Sequence, residues 1–272
     1  MESVSSHMKT QPRRMDARMA RDSRLPSVAL CYHVISSSQS DYLYSTTSAR
    51  FAEHLDLISA ADDQERAALR LAVTFDDGHR SAYENGLPLL ERYSVTAMFF
   101  LTAGEIGSDA DAMSWDQVRD LCQMGHAVGS HSWSHAFLTR CNDYDLDIEL
   151  RHSKQTLEDK LGVEVDSISF PGGRWNSRVL RASARAGYKH AYCSEPWVAP
   201  QQRDGLQLHG RLMVSGSMDS AQLLRLCTLG SASQFRMRAR SLMQGTVRSC
   251  IGDERYLWLW RLLANSGRKR AR

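Results

Sequence analysis

LRLAVTFDDG, residues 69–78, is an apolar run that stops on two carboxylates and a glycine. Leu, Val, Thr and Phe in an almost unbroken row suit a strand buried on both faces, as parallel sheets require. Asp76-Asp77-Gly78 then stands at the strand's carboxyl end, where parallel α/β architectures gather their ligands. Successive side chains of an extended chain diverge. One carboxylate can therefore hold a metal while the other takes a proton. The competing reading is a plain turn, for which Asp-Asp-Gly is good chemistry.

Outward from this stretch the same pattern repeats. VALCYHV (28–34), VTAMFFL (95–101), HAVG (126–129) and SISF (167–170) read as short buried strands. Between them lie helical signals. Phe51, Leu55 and Ile58 recur at spacings of four and three. Ser114 with Gln117 forms a capping box whose helix should stop at Gly125. Leu146, Leu150, Leu157 and Leu161 mark a long helix ended by Gly162. Strands and helices alternate to about residue 214, which favours an α/β barrel or a doubly wound sheet. In either, Asp76-Asp77-Gly78, SHSWSH (130–135) and PGGR (171–174) all fall at strand carboxyl ends.

The chain has 272 residues, 42% hydrophobic and 24% charged, which excludes wholesale disorder and a polytopic membrane protein. Its net charge of +3 conceals an asymmetry. Residues 1–24 carry +3, residues 236–272 carry +8, and the body between them carries −8. The expected organisation is a disordered basic arm (1–24), a barrel (25–218) and a helical basic extension with a tail (219–272). The acidic body and the absence of a nucleic-acid module argue against a nucleic-acid partner. Six cysteines without a Cys-x-x-Cys pair suggest reduced, buried thiols. The first residues lack the apolar core of a secretory signal, so the expected location is cytoplasmic. In the extension, Arg236, Arg238, Arg240, Arg248, Arg255 and Arg261 are spread among apolar groups. This suits a helix packed on the barrel with snorkelling arginine stems, or peripheral contact with an anionic membrane surface.

His131 and His135 can present two imidazoles on one side of a helical turn, and with a carboxylate they make an open His₂–carboxylate metal site. The competing reading is a pair of surface histidines. Gly172 and Gly173 let backbone approach a ligand and offer N–H groups to a developing oxyanion, or simply form a tight turn.

Taken together these motifs resemble the NodB-like polysaccharide deacetylases, the fourth carbohydrate esterase family. The resemblance covers roughly residues 28–214. It rests on CYHV (31–34), TFDDG (74–78), FFLTAGEIG (99–107), MSWDQV (113–118), SHSWSH (130–135), ELRHSKQTLEDKLG (149–162), FPGG (170–173) and AGYKHAYCSEP (186–196). It implies a distorted (β/α) barrel of about seven parallel strands. It also implies a divalent metal, most often zinc, held by Asp77, His131 and His135, with Asp76 as general base. The implied substrate is an N-acetylated saccharide that loses acetate, with the Gly172 N–H supporting the oxyanion.

Two departures stand out. Many members place an arginine before the proline motif to brace the base; here that position is Ser169, and Arg174 is the residue expected to reach the carboxylate instead. The late motif that supplies a general acid is not plain in LQLHGRLMVSGSMD (206–219), where His209 is the only histidine. It is the candidate acid, with a strand histidine as the competing reading. His33, after Tyr32, is expected to border the cleft or to be structural. Trp133, Trp175 and Trp197 are expected to stack on sugar rings or to pack the rim. The function expected is a metal-dependent N-deacetylase in exopolysaccharide or cell-surface glycan biosynthesis. The alternative is a catalytically impaired barrel that only binds glycan.

Overall fold

In the computed structural model, residues 27–60, 70–196 and 201–227 are described. β1 (Ser27–Tyr32) leads into a short parallel pair, β2 (Val34–Ser36) and β3 (Ser45–Thr47), and then helix α1 (Ser48–Ala60). β4 (Arg70–Phe75) is followed by a wide turn (Ala82–Gly86) running into α2 (Leu87–Arg92). Next come β5 (Ala97–Leu101), α3 (Trp115–Gln123) and β6 (Ala127–Ser130). α4 (Asp143–Asp147), a wide turn (Ile148–His152) and α5 (Ser153–Leu161) make the long helical stretch. β7 (Ser167–Ser169), α6 (Ser177–Arg185), β8 (His190–Cys193), β9 (Gln201–Arg203), β10 (Leu206–Met213) and α7 (Ser220–Cys227) complete the order. The chain divides into two compact units, Met1–Leu224 and Arg225–Arg272, and the barrel belongs to the first.

Seven parallel strands run β1-β4-β5-β6-β7-β8-β10, and β10 returns to β1, closing the barrel. β9 is an antiparallel addition on β10. The distorted parallel barrel expected from the sequence is therefore the fold. The closure is staggered. Gln207–Gly210 pair with β8, whereas Arg211–Met213 pair with β1.

Alternation along the strands separates two cores. Tyr32, Phe75 and Phe99 are register partners across β1, β4 and β5, and their rings pack in a row, with Phe75 stacked 4.9 Å from Phe99. Phe51 of α1 meets Tyr32 and Phe75 edge-on. The opposite strand face fills the barrel interior with Met98, Phe100 and Tyr192. This interior is where Asp76 and Arg211 also sit.

Local signals behave as their chemistry requires. Ser114 and Gln117 form a reciprocal capping box at the start of α3. Gly162 ends α5 at φ 67°, a left-handed value that costs glycine least. The arm 1–24, residues 228–272 and Trp197 lie outside the described residues. Among the described residues no helix is long and apolar enough to cross a membrane.

Candidate active site

Asp77 turns away from β4 in the left-handed region, at φ 72°, and Gly78 follows at 81°. A Cβ on Gly78 would stand 2.9 Å from Ile106 Cδ1, so this reversal tolerates only glycine there. The turn throws the two carboxylates apart, Asp76 into the barrel and Asp77 onto its mouth.

His131 follows β6 directly. Its Nδ1–H donates to the Ser169 carbonyl at 2.8 Å. That bond fixes the tautomer and leaves the Nε2 lone pair aimed at Asp77 Oδ1, 3.3 Å away. His135 Nε2 lies 3.3 Å from the same oxygen. The three ligand atoms fall within 4.8 Å of one another. Two donors each 2.0–2.2 Å from a tetrahedral cation stand about 3.3–3.6 Å apart, which is the spacing seen. Asp77 Oδ1 is buried and has no hydrogen-bond partner. This donor set fits a divalent metal. Burial by itself raises the Asp77 carboxyl, but the two imidazoles outweigh it and hold the group well below the usual carboxylate range.

The histidine pair does not sit on a helical turn, as the sequence suggests. Ser132 (φ 68°) and His135 (φ 59°) are left-handed, and that backbone, not helical spacing, brings the rings 5.0 Å apart. Such conformations cost about 1–3 kcal/mol each and need external support. Glu149, buried in the wide turn before α5, supplies it. Its Oε2 accepts from the Trp133 and Ser134 backbone N–H groups at 2.9 Å each. Its Oε1 accepts from Ser134 Oγ at 2.5 Å. Ser153 adds a second strut, donating to the Ser132 carbonyl at 3.0 Å.

Asp76 is enclosed. Arg211 of β10 donates to both its oxygens, Nη1 to Oδ1 at 2.6 Å and Nη2 to Oδ2 at 2.7 Å. Ser169 Oγ donates to Oδ2 at 3.0 Å and accepts from Arg211 Nη2 at 2.7 Å. Burial raises the Asp76 carboxyl, and the Arg211 guanidinium more than reverses this, keeping it far below its ordinary value. Asp76 Oδ2 is 3.8 Å from His131 Nε2, so the anion borders the metal-ligand set.

The brace on Asp76 is therefore Arg211, and the expectation for Arg174 is corrected. The Arg174 guanidinium lies 4.1 Å above the Phe137 ring. Serine at 169 is small enough to admit a guanidinium from across the barrel and polar enough to bond it. Arg211 lies inside the 206–219 stretch, two residues from His209 and on the same strand face, but only the register of barrel closure brings it to Asp76.

His209 is also corrected. It lies two residues before Arg211 on β10, toward the opposite end of the barrel from the strand ends that carry Asp76. Its ring stacks 4.7 Å from Tyr192 and its Nε2 bonds His190 Nδ1 at 3.1 Å. Tyr192 also lies beneath the Arg211 guanidinium, so Arg211 and Tyr192 intervene between His209 and Asp76. Burial, then the neighbouring His190, pushes its pKa down to about 4 from 6.5. Protonation of the unfolded chain begins as pH falls below 6.5, whereas the folded ring resists until about 4. Stability intact above pH 6.5 is then lost across this window, by up to about 3 kcal/mol. Urea unfolding at pH 6.5 and 4.5 should show a smaller loss in His209→Phe than in the parent. Equal losses would contradict this structural role.

The remaining residues divide. His33 packs on Tyr44, and an atom of it falls within 4.8 Å of Asp76, so it borders the site. Gly172 sits just past β7 at φ 62°, where a Cβ would press 2.8 Å from Phe137. Trp133 packs on His152 at 4.2 Å and against Gly104. Trp175 lies under the Arg203 guanidinium at 4.9 Å. Neither ring is thereby committed to a sugar.

Comparison with known proteins agrees with this arrangement. A family model described as polysaccharide deacetylase matches residues 63–191, which include Asp76, Asp77, His131 and His135. Residues 63–191 belong to the polysaccharide deacetylase family. YxkH of Bacillus subtilis (strain 168), named as a polysaccharide deacetylase, is 27% identical over 58% of this chain and 56% of its own. The peptidoglycan-N-acetylglucosamine deacetylase PgdA of Listeria monocytogenes serotype 1/2a (strain 10403S) is 32% identical over 47% of this chain and 27% of its own. The chain thus spans about half or less of these relatives' length. Among solved structures, Streptococcus pyogenes deacetylase PplD superposes with TM-score 0.67 at 20% identity, covering 75% of this chain and 99% of that one. IcaB from Ammonifex degensii gives 0.61 at 23%, covering 70% and 91%. At these identities the structures speak for the barrel. The comparisons give no support to membrane contact by the extension.

Proposed function

We propose that this deacetylase-family protein is a zinc-dependent hydrolase that removes N-acetyl groups from a saccharide in exopolysaccharide or cell-surface glycan biosynthesis. One observation carries the reading: Asp77, His131 and His135 present a converging donor set directly beside an ionised, buried Asp76. Those three residues would hold a divalent cation, whose chemistry there would be to lower the pKa of water and to polarise a carbonyl.

The chain's own groups then have defined tasks. Asp76 takes the proton that water gives up as it attacks the carbonyl carbon, and Arg211 and Ser169 hold the receiving carboxylate in place. The Gly172 N–H at the end of β7 supports the oxyanion. The departing amine needs a proton; Asp76 now carries one, and His33 stands beside it.

The test is acetate release from N-acetylated chito-oligosaccharides before and after metal stripping, and again after zinc is restored. Turnover should vanish on stripping and return with zinc. Undiminished turnover by metal-free protein overturns the reading. A metal-loaded protein that binds the oligosaccharide but releases no acetate would establish the glycan-binding alternative.

A further inference from the structure

Between β2 and β3 the chain makes a turn that carries Tyr42 and Leu43, two large side chains adjacent in sequence and about half exposed, at 48% and 47%. The turn is held from two sides. Ser45 N–H donates to the Tyr42 carbonyl at 3.0 Å, and Gly216 N–H donates to the Leu43 carbonyl at 2.9 Å. Gly216 comes so close that a Cβ there would lie 2.1 Å from the Ser45 carbonyl oxygen. Two exposed apolar groups are thus fixed on the surface, not left on a loose loop.

Their position relative to the site follows from a row of rings. His33, within 4.8 Å of Asp76 in its ligand-atom cluster, stacks on Tyr44 at 5.1 Å. Tyr44 meets Tyr42 edge-on at 6.0 Å. The row leads from the carboxylate to solvent. Tyr42 thus stands at the solvent end of a row of rings that begins beside Asp76. An aromatic face suits the C–H face of a pyranose, and the phenol can bond its hydroxyls. A glycan chain whose acetamide sits at Asp76 must leave the site past some part of the rim, and this part is apolar, aromatic and pre-shaped.

Building on the deacetylase reading, we infer that Tyr42 and Leu43 form a saccharide subsite for the sugar neighbouring the one being deacetylated, giving the protein a preference for chains over single sugars. The closing experiment measures binding and turnover separately. Calorimetry on the Asp76→Asn protein compares the fully N-acetylated chito-tetramer with N-acetylglucosamine, with and without Tyr42→Ala. The tetramer should bind about tenfold more weakly after Tyr42→Ala, the monomer unchanged, and Tyr42→Trp should keep tetramer affinity. With Asp76 restored, KM for the tetramer should rise by the same factor while kcat stays within about twofold. Unchanged tetramer affinity, an equal loss for monomer and tetramer, or no tetramer binding in the parent each overturns the subsite. A tetramer that binds through Tyr42 but yields no acetate leaves the subsite standing and sinks the deacetylase reading.

Discussion

Arg211→Met is expected to abolish most acetate release, a loss of about a hundredfold to a thousandfold in kcat, while the bound metal is kept. Methionine roughly preserves the volume over Phe100 and Tyr192 but removes both donors to Asp76. An acidic group buried at 3% exposure then loses its counter-charge. Breaking a buried pair in this way costs about 3–5 kcal/mol, unless the orphan carboxyl takes up a proton. Protonation removes the base, since a protonated Asp76 accepts nothing, and a carboxylate that stays charged loses the two donors that orient it. The direction of the pH effect follows. In the parent Asp76 is held ionised well below its ordinary value, so its contribution to stability is present above about pH 4 and is lost as pH falls through the lowered folded value. In Arg211→Met the acid limb of the rate profile should move upward. Arg211→Lys keeps the charge but not the two-pronged geometry and should recover only part of the rate. A methionine variant as active as the parent would show that Asp76 needs no brace.

The second large effect separates the two neighbouring carboxylates. Asp76→Asn should retain metal and lose about a thousandfold or more in turnover, the upper range for a general base. Asp77→Ala should lose both metal and turnover, because two imidazoles remain where three donors stood. Metal content by atomic absorption, read beside acetate release, decides between them. Metal lost from Asp76→Asn but kept in Asp77→Ala would mean the roles are reversed. The spacing argues otherwise, since both His131 and His135 approach Asp77 Oδ1 at 3.3 Å.

What could be read from the letters alone follows from how far each interaction reaches. Asp77, His131 and His135 were legible because strand ends in a parallel barrel converge, and each motif announces its strand by an apolar run. The Asp76–Arg211 pair was not. Its partners are 135 positions apart, and which β10 side chain faces Asp76 is set by the stagger of closure. Arg174 is near the glycines in sequence, yet the chain carries its guanidinium over Phe137. Glu149 lay within a motif that carries the resemblance, but its role was hidden. A helix carboxylate turns inward here because the wide turn Ile148–His152 changes the period of the long helix. The same limitation applies to the 131–135 loop, where two non-glycine residues adopt left-handed backbone that composition does not announce.

The staggered return of β10 to β1 makes chemical competence a property of the closed barrel. The guanidinium that matches the charge of Asp76 comes from this last stave, so the metal ligands without β10 would leave the base unbraced. The family-matched stretch ends at 191, some twenty residues short of Arg211. A fragment trimmed to that stretch would carry every signature residue of the metal set and still be inert.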